Sequence, residues 1–160
     1  MSKVFLLRYD TERPSPGPMK GFFEKIIAVH RADGIPASFF CTGTAIEQRE
    51  EDFRAFYAQV KDDPLFDLQD HSYSHIGLGY ANGMSIADLR ADYERSFAAH
   101  ERVLGKRPVG ISICGTGGKD GPHLQGFDET EKGKAELNMI AELGVVFPIP
   151  IPMPMALSIV

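Results

Sequence analysis

Two histidines, His71 and His75, stand four residues apart in the segment Asp70-His71-Ser72-Tyr73-Ser74-His75, and two acids, Asp10 and Glu12, stand two apart near the start of the chain. A neutral imidazole offers one nitrogen lone pair to a cation. A single helical turn from His71 to His75 would put both lone pairs on one face, close enough to share one divalent ion. Two ligands need a third. Residues two apart in an extended chain point to the same side, so Asp10 and Glu12 present two carboxylates together, one to ligate while the other stays free. Because His-x-x-x-His spacing also arises on ordinary helices, the reading depends on which elements position these residues.

Val4 to Arg8 is an unbroken apolar run of the kind that forms a strand buried on both faces, and it leads directly into Asp10-Thr11-Glu12. Past a Pro- and Gly-rich loop at 13–18, the apolar stripe Phe22, Phe23, Ile26, Ile27, Val29 predicts a helix ending before Gly34. Pro36 opens a second strand over Ala37 to Cys41, stopped by Gly43. The spacing of Phe53, Phe56, Tyr57 and Val60 predicts an amphipathic helix over Glu47 to Lys61. A third strand, Leu65 to Gln69, delivers Asp70 and His71. Ser85 with Asp88 reads as a capping box for a helix that Gly105 terminates. Val109 to Cys114 reads as a fourth strand. A helix whose Leu137, Ile140, Ala141 and Leu143 share a face closes at Gly144, and a fifth strand starts in Val145-Val146-Phe147.

Alternating strands and helices of this kind predict an α/β fold of parallel βα units, either a barrel or an open doubly wound sheet. In both, loops after the strand C-termini form the active face, so strands one and three would bring the acids and the imidazoles together. We expect one domain over residues 1–147 and an apolar tail over 148–160. In that tail prolines at 148, 150, 152 and 154 rule out a central strand.

Composition narrows the partners. The chain has 160 residues, 43% of them hydrophobic, and a formal net charge of −5, with no basic excess to neutralise nucleic acid or an anionic membrane surface. The two cysteines, Cys41 and Cys114, fit buried free thiols rather than a disulfide scaffold. No signal peptide or membrane span is visible, and the expected location is cytoplasmic. The glycine-rich stretch 115–121 lacks the spacing of a phosphate loop. His30 and His100 fall on helix faces and read as structural. Cys114 reads as a small hydrophobe at a strand end, and Tyr73 as either a substrate contact or packing.

The motifs resemble the polysaccharide deacetylases, the family with the NodB-type homology domain (carbohydrate esterase family 4). Leu7-Arg8-Tyr9-Asp10-Thr11-Glu12 looks like its first motif, and Ile35-Pro36-Ala37-Ser38-Phe39-Phe40 is similar to its second strand. Asp70 to His75 matches its His-(Ser/Thr)-x-x-His motif, and Gly105 to Gly110 resembles the approach to its third motif. The resemblance implies an incomplete or distorted (β/α) barrel of that type. It makes His71, His75 and Glu12 the metal ligands and Asp10 the general base, the last two roles being exchangeable. The implied cofactor is a divalent metal, zinc first, with cobalt, nickel or manganese also suited to the donors. The implied reaction is removal of N-acetyl groups from sugars or polysaccharides by metal-activated water.

The pattern also departs from the family. Where its third motif carries an arginine that helps to hold the base, this chain reads Gly110-Ile111-Ser112-Ile113-Cys114, and no arginine follows Arg107. That leaves Arg107 or Lys119 to take the role. The family's late general-acid histidine has only His123 as a counterpart, in the glycine-rich loop. About five strands are visible where the family's barrel has more, which fits a truncated domain, parts supplied by a second copy in a homo-oligomer, or a reduced fold. Two other functions therefore stand beside deacetylation: a non-catalytic metal- or ligand-binding relative, and a hydrolase of small cyclic amides.

Overall fold

The computed structural model of the chain describes residues 7–12, 19–78, 83–114 and 130–149. Its elements follow in the order β1 (Leu7–Thr11), α1 (Met19–Asp33), β2 (Ala37–Cys41), α2 (Gly43–Gln48), α3 (Glu50–Val60), β3 (Phe66–Asp70), α4 (Ile86–Leu104), β4 (Gly110–Ser112), α5 (Glu131–Glu142) and β5 (Phe147–Ile149). The strands form one parallel sheet in the spatial order β1-β2-β3-β4-β5. Every crossover thus moves one strand in the same direction. A doubly wound sheet needs a reversal of that direction, and right-handed crossovers without one keep the helices on a single face. The architecture is an incomplete (β/α) barrel.

Register sorts the strand residues into two faces. Tyr9, Phe39 and Leu68 lie side by side in one row. Their row packs against α1 and α3 in an aromatic core where the Phe23 and Phe56 rings stack at 4.1 Å and Phe39 meets Phe56 at 5.0 Å. Truncating one of these buried rings to alanine costs about 3–5 kcal/mol. A second core joins α4, α5 and Ile111 of β4 around Tyr93 and Phe97. The opposite face of the sheet is mostly polar: Arg8, Ser38 and Asp67 form one row, and Asp10, Phe40 and Gln69 the next.

Several elements differ from expectation for identifiable reasons. The helix expected over Glu47–Lys61 is α3, with Phe53, Phe56 and Val60 buried as expected, and it is the second of two helices that follow β2. Gly43, expected only to stop β2, opens the first, because the Thr42 hydroxyl accepts a hydrogen bond from the Ala45 amide and caps α2. Arg49, at φ −128°, leaves helical geometry and separates α2 from α3. β1 is partly exposed rather than buried on both faces, since it ends the strand order and carries Arg8 and Asp10. β4 keeps three residues because the Gln69 side-chain carbonyl takes the amides of Val109 and Gly110, at 3.0 and 2.8 Å, in place of a backbone ladder. On α5 the buried face is Gly133, Glu136, Met139 and Ile140, while Leu137 is exposed.

Other boundaries match. β2 spans Ala37–Cys41, α1 ends at Asp33, and Ser85 and Gly105 cap α4 as expected, Gly105 at φ 69°. β5 carries the sheet through Pro148 and Ile149, past residue 147; residues 150–160 lie outside the described residues. The Pro-rich loop at 13–18 and the glycine-rich loop with Lys119 and His123 also lie outside them. Both cysteines are buried and free. Among the described residues no helix is long and apolar enough to cross a membrane.

Candidate metal centre

The two acids and the two histidines meet at the C-terminal ends of β1 and β3. Glu12 Oε1 lies 3.2 Å from His71 Nε2 and 3.1 Å from His75 Nε2. His71 is buried, whereas the side chains of His75 and Glu12 are 38% and 44% exposed, so the site is anchored on one side and open on the other. Asp10, Glu12 and His71 bring a donor atom each within 4.8 Å of one another.

The segment after β3 is not the expected helical turn. Ser72 and His75 have positive φ, 58° and 60°, a left-handed backbone that costs an L-residue roughly 1 kcal/mol or more. Hydrogen bonds over-determine this geometry. Asp70, fully buried, accepts the Ser72 amide at 2.8 Å and the Ser96 hydroxyl of α4. Asp92 accepts the Tyr73 amide at 2.8 Å and the Ser74 hydroxyl at 2.6 Å, and the Ser72 hydroxyl accepts the Ile76 amide at 2.8 Å. The amides of Gly43 and Thr44, at the start of α2, donate to the Ser72 and Tyr73 carbonyls. Two reversals of backbone hand, rather than a helical period, bring the imidazoles to a centroid distance of 5.0 Å.

The partners of His71 select its tautomer when the ring is neutral. Nδ1 stands 2.8 Å from the Ser112 carbonyl oxygen, which only accepts, so Nδ1 carries the proton. In the neutral ring Nε2 is then a bare lone pair, and it faces a carboxylate oxygen. In that neutral form two acceptors face each other, an arrangement that a shared cation, a proton or a metal ion, satisfies. Nitrogen and oxygen donors about 2.0–2.1 Å from a tetrahedral zinc lie about 3.3 Å apart, matching the two distances from Glu12. The donor set therefore fits a divalent metal, and the Ser112 carbonyl supplies the outer contact that orients a ligating imidazole.

Asp10 is held beside this set by a residue that the sequence reading did not single out. Arg8 Nη2 donates to Asp10 Oδ2 at 2.7 Å while its guanidinium sits 5.7 Å from the centre of the Phe40 ring, and the Ser112 hydroxyl lies 3.5 Å from Asp10 Oδ1. Arg107 does not take that role. It lies over Phe97 and pairs with Glu101, on the helix side of the sheet. The available signal was the two-residue spacing of Arg8 and Asp10 on one strand face. Tyr73 is packing: its hydroxyl donates to Glu47 at 2.7 Å and Arg95 lies 3.7 Å from its ring centre.

His30 and His100 belong to other parts of the molecule. His30 donates through Nδ1 to the Ile35 carbonyl at 2.7 Å and accepts from the Tyr9 hydroxyl at 2.9 Å. His100 Nε2 approaches Asp70 Oδ1 at 3.4 Å without hydrogen-bond alignment. Cys114, by contrast, lies at the site. Its Sγ donates to the His71 carbonyl at 3.2 Å, and burial pushes its thiol up to about 12, partly offset by the Ser72 hydroxyl.

Comparison with known proteins agrees with this geometry. The family model "Polysaccharide deacetylase" matches residues 2–122. The chain belongs to the polysaccharide deacetylase family, a class of hydrolases. Solved structures with the same fold include a CE4 family pseudoenzyme, BA3943, from Bacillus anthracis, at 12% identity and TM-score 0.61, the match covering 92% of this chain and 43% of that one. A mutant of the peptidoglycan deacetylase PdaC from Bacillus subtilis matches at 16% identity and TM-score 0.59, over 91% and 57%. A family 4 carbohydrate esterase from Streptomyces lividans in complex with acetate matches at 17% and 0.59, over 90% and 60%. At these identities the likeness is one of fold, and the chain spans about half the length of these structures. No curated protein matches the chain significantly.

Proposed function

We propose that the chain is a metal-dependent hydrolase that removes N-acetyl groups from sugars or polysaccharides, with His71, His75 and Glu12 as the metal ligands and Asp10 as the general base. The observation that carries this reading is the lone pair of His71 Nε2 facing Glu12 at 3.2 Å while Nδ1 is committed to Ser112. When bound, a divalent cation, zinc by the donor set, supplies Lewis acidity toward an amide carbonyl and toward water. The chain's own residues then have defined tasks. His71 is locked in tautomer and orientation by a carbonyl; Asp10, aimed by Arg8 and Ser112, takes the proton of the attacking water. The same carboxyl is the group placed to return that proton to the leaving amine. The open side, at His75 and Glu12, is where a sugar would approach.

A second reading, a metal-binding relative without turnover, is favoured by the third motif, where Ser112 to Cys114 stand in a stretch that carries an arginine in the family. One experiment separates the two. Bound metal is measured in the purified chain, and acetate release is assayed from N-acetylated oligosaccharides for wild type, Asp10→Asn and His71→Ala. The deacetylase reading expects metal and acetate from wild type, metal with about a hundredfold lower turnover from Asp10→Asn, and neither from His71→Ala. Metal without acetate from wild type would overturn the deacetylase reading, and a chain that binds no metal would overturn both.

A further inference from the structure

Cys114 follows β4 by two residues and is fully buried. Its sulfur lies within 4.8 Å of a ring nitrogen of both His71 and His75. It is held there by the segment that carries the two imidazoles, at 3.2 Å from the His71 carbonyl and 3.5 Å from the Ser72 hydroxyl. Cys41, equally buried, packs instead in the aromatic core with Phe39 and Phe56 and joins no such group among the described residues. The two thiols are alike in burial and differ in what surrounds them.

We propose that Cys114 is a further donor of the metal centre, a thiolate beside His71 and His75. The inference rests on the metal-site reading above and adds a soft ligand to it. As sulfur binds, the S–H proton passes to solvent and a metal–sulfur bond takes its place. Nitrogen and sulfur donors of a tetrahedral zinc lie about 3.5 Å apart, to which the observed spacing must close. A thiolate beside two imidazoles is a soft donor set that favours zinc or cobalt over manganese or magnesium.

The test uses the full chain, stripped of metal and titrated with cobalt(II). Bound cobalt is counted by equilibrium dialysis, and the near-ultraviolet thiolate-to-cobalt charge-transfer band is recorded for wild type, Cys114→Ser and Cys41→Ser. The expected result is that wild type and Cys41→Ser bind cobalt with the band. Cys114→Ser binds cobalt without it and holds zinc about tenfold or more weakly. Bound cobalt without the band in wild type overturns the proposal and leaves the histidine–carboxylate site standing, whereas no bound cobalt overturns both. A band lost in Cys41→Ser but kept in Cys114→Ser also overturns it. Should Cys114→Ser fail to fold, the band of Cys41→Ser decides, since Cys114 is then the one cysteine left: its presence supports the proposal and its absence with cobalt bound overturns it.

Discussion

His30 and His71 are two buried histidines at opposite ends of the sheet, and each gives its Nδ1 proton to a backbone carbonyl, Ile35 in one case and Ser112 in the other. They part at Nε2. His30 meets the hydroxyl of Tyr9, which can donate, so the ring is complete as a structural link between α1 and β1. His71 meets the Glu12 carboxylate, which cannot donate, so in the neutral ring Nε2 has no hydrogen-bond donor and can face a metal ion. Burial and the first hydrogen bond are common to both. The second partner alone separates a structural histidine from a candidate ligand, and for His71 it comes from a strand 59 residues earlier.

Substitutions can break that comparison. The largest effect is expected from His71→Ala, which should lower zinc affinity by more than about a hundredfold in a metal-buffered titration. Unchanged affinity would make His71 a second His30. Gly43→Ala comes next. A Cβ there would meet Tyr73 Cδ2 at 2.5 Å and Ser96 Oγ at 2.9 Å, so α2 must back away from the 71–76 segment. We expect a loss of about 1–3 kcal/mol in denaturant unfolding together with weaker metal binding, whereas a small change in both would show that the segment does not depend on α2.

His30→Ala sharpens the contrast from the other side. It orphans the Tyr9 hydroxyl and the Ile35 carbonyl, at about 1–3 kcal/mol of stability, and should leave zinc affinity where it was. The smallest expected effect is that of Arg8→Met. Metal content and fold should hold while acetate release falls about tenfold through kcat, as for a residue that aims a base without touching the ion. A change in metal affinity instead would move Arg8's role from Asp10 to the ligands.

Much of this was legible in the chain because its causes are local. Ser85 capping Asp88, Gly105 at positive φ, and Pro36 and Gly43 bounding five residues of β2 are interactions between near neighbours, which spacing records. The meeting of Glu12 with His71 and His75 was readable from topology instead, since strand ends in parallel βα units converge. The amphipathic helix expected over Glu47–Lys61 is present as Glu50–Val60 with Phe53, Phe56 and Val60 buried, and only its start was missed, because apolar periodicity does not register the departure of Arg49 from helical geometry.

The sequence by itself determined the alternation of strands and helices and the ends of β2 and α4, because each depends on contacts a few residues apart, and it singled out the side chains that could supply metal donors. Only the tertiary structure decided that the imidazoles meet through two left-handed residues rather than a helical turn. It also decided that Arg8 rather than Arg107 holds Asp10, that Tyr73 packs against α2 and α4, and that Cys114 stands beside the histidines. The 71–76 segment, Tyr73 and Cys114 depend on groups 19 to 43 residues apart, whereas Arg8 and Asp10 are near neighbours and only the placement of Arg107 on the other side of the sheet settles the choice. Hydrophobic spacing along the chain is the same whichever polar side chain lies across the gap.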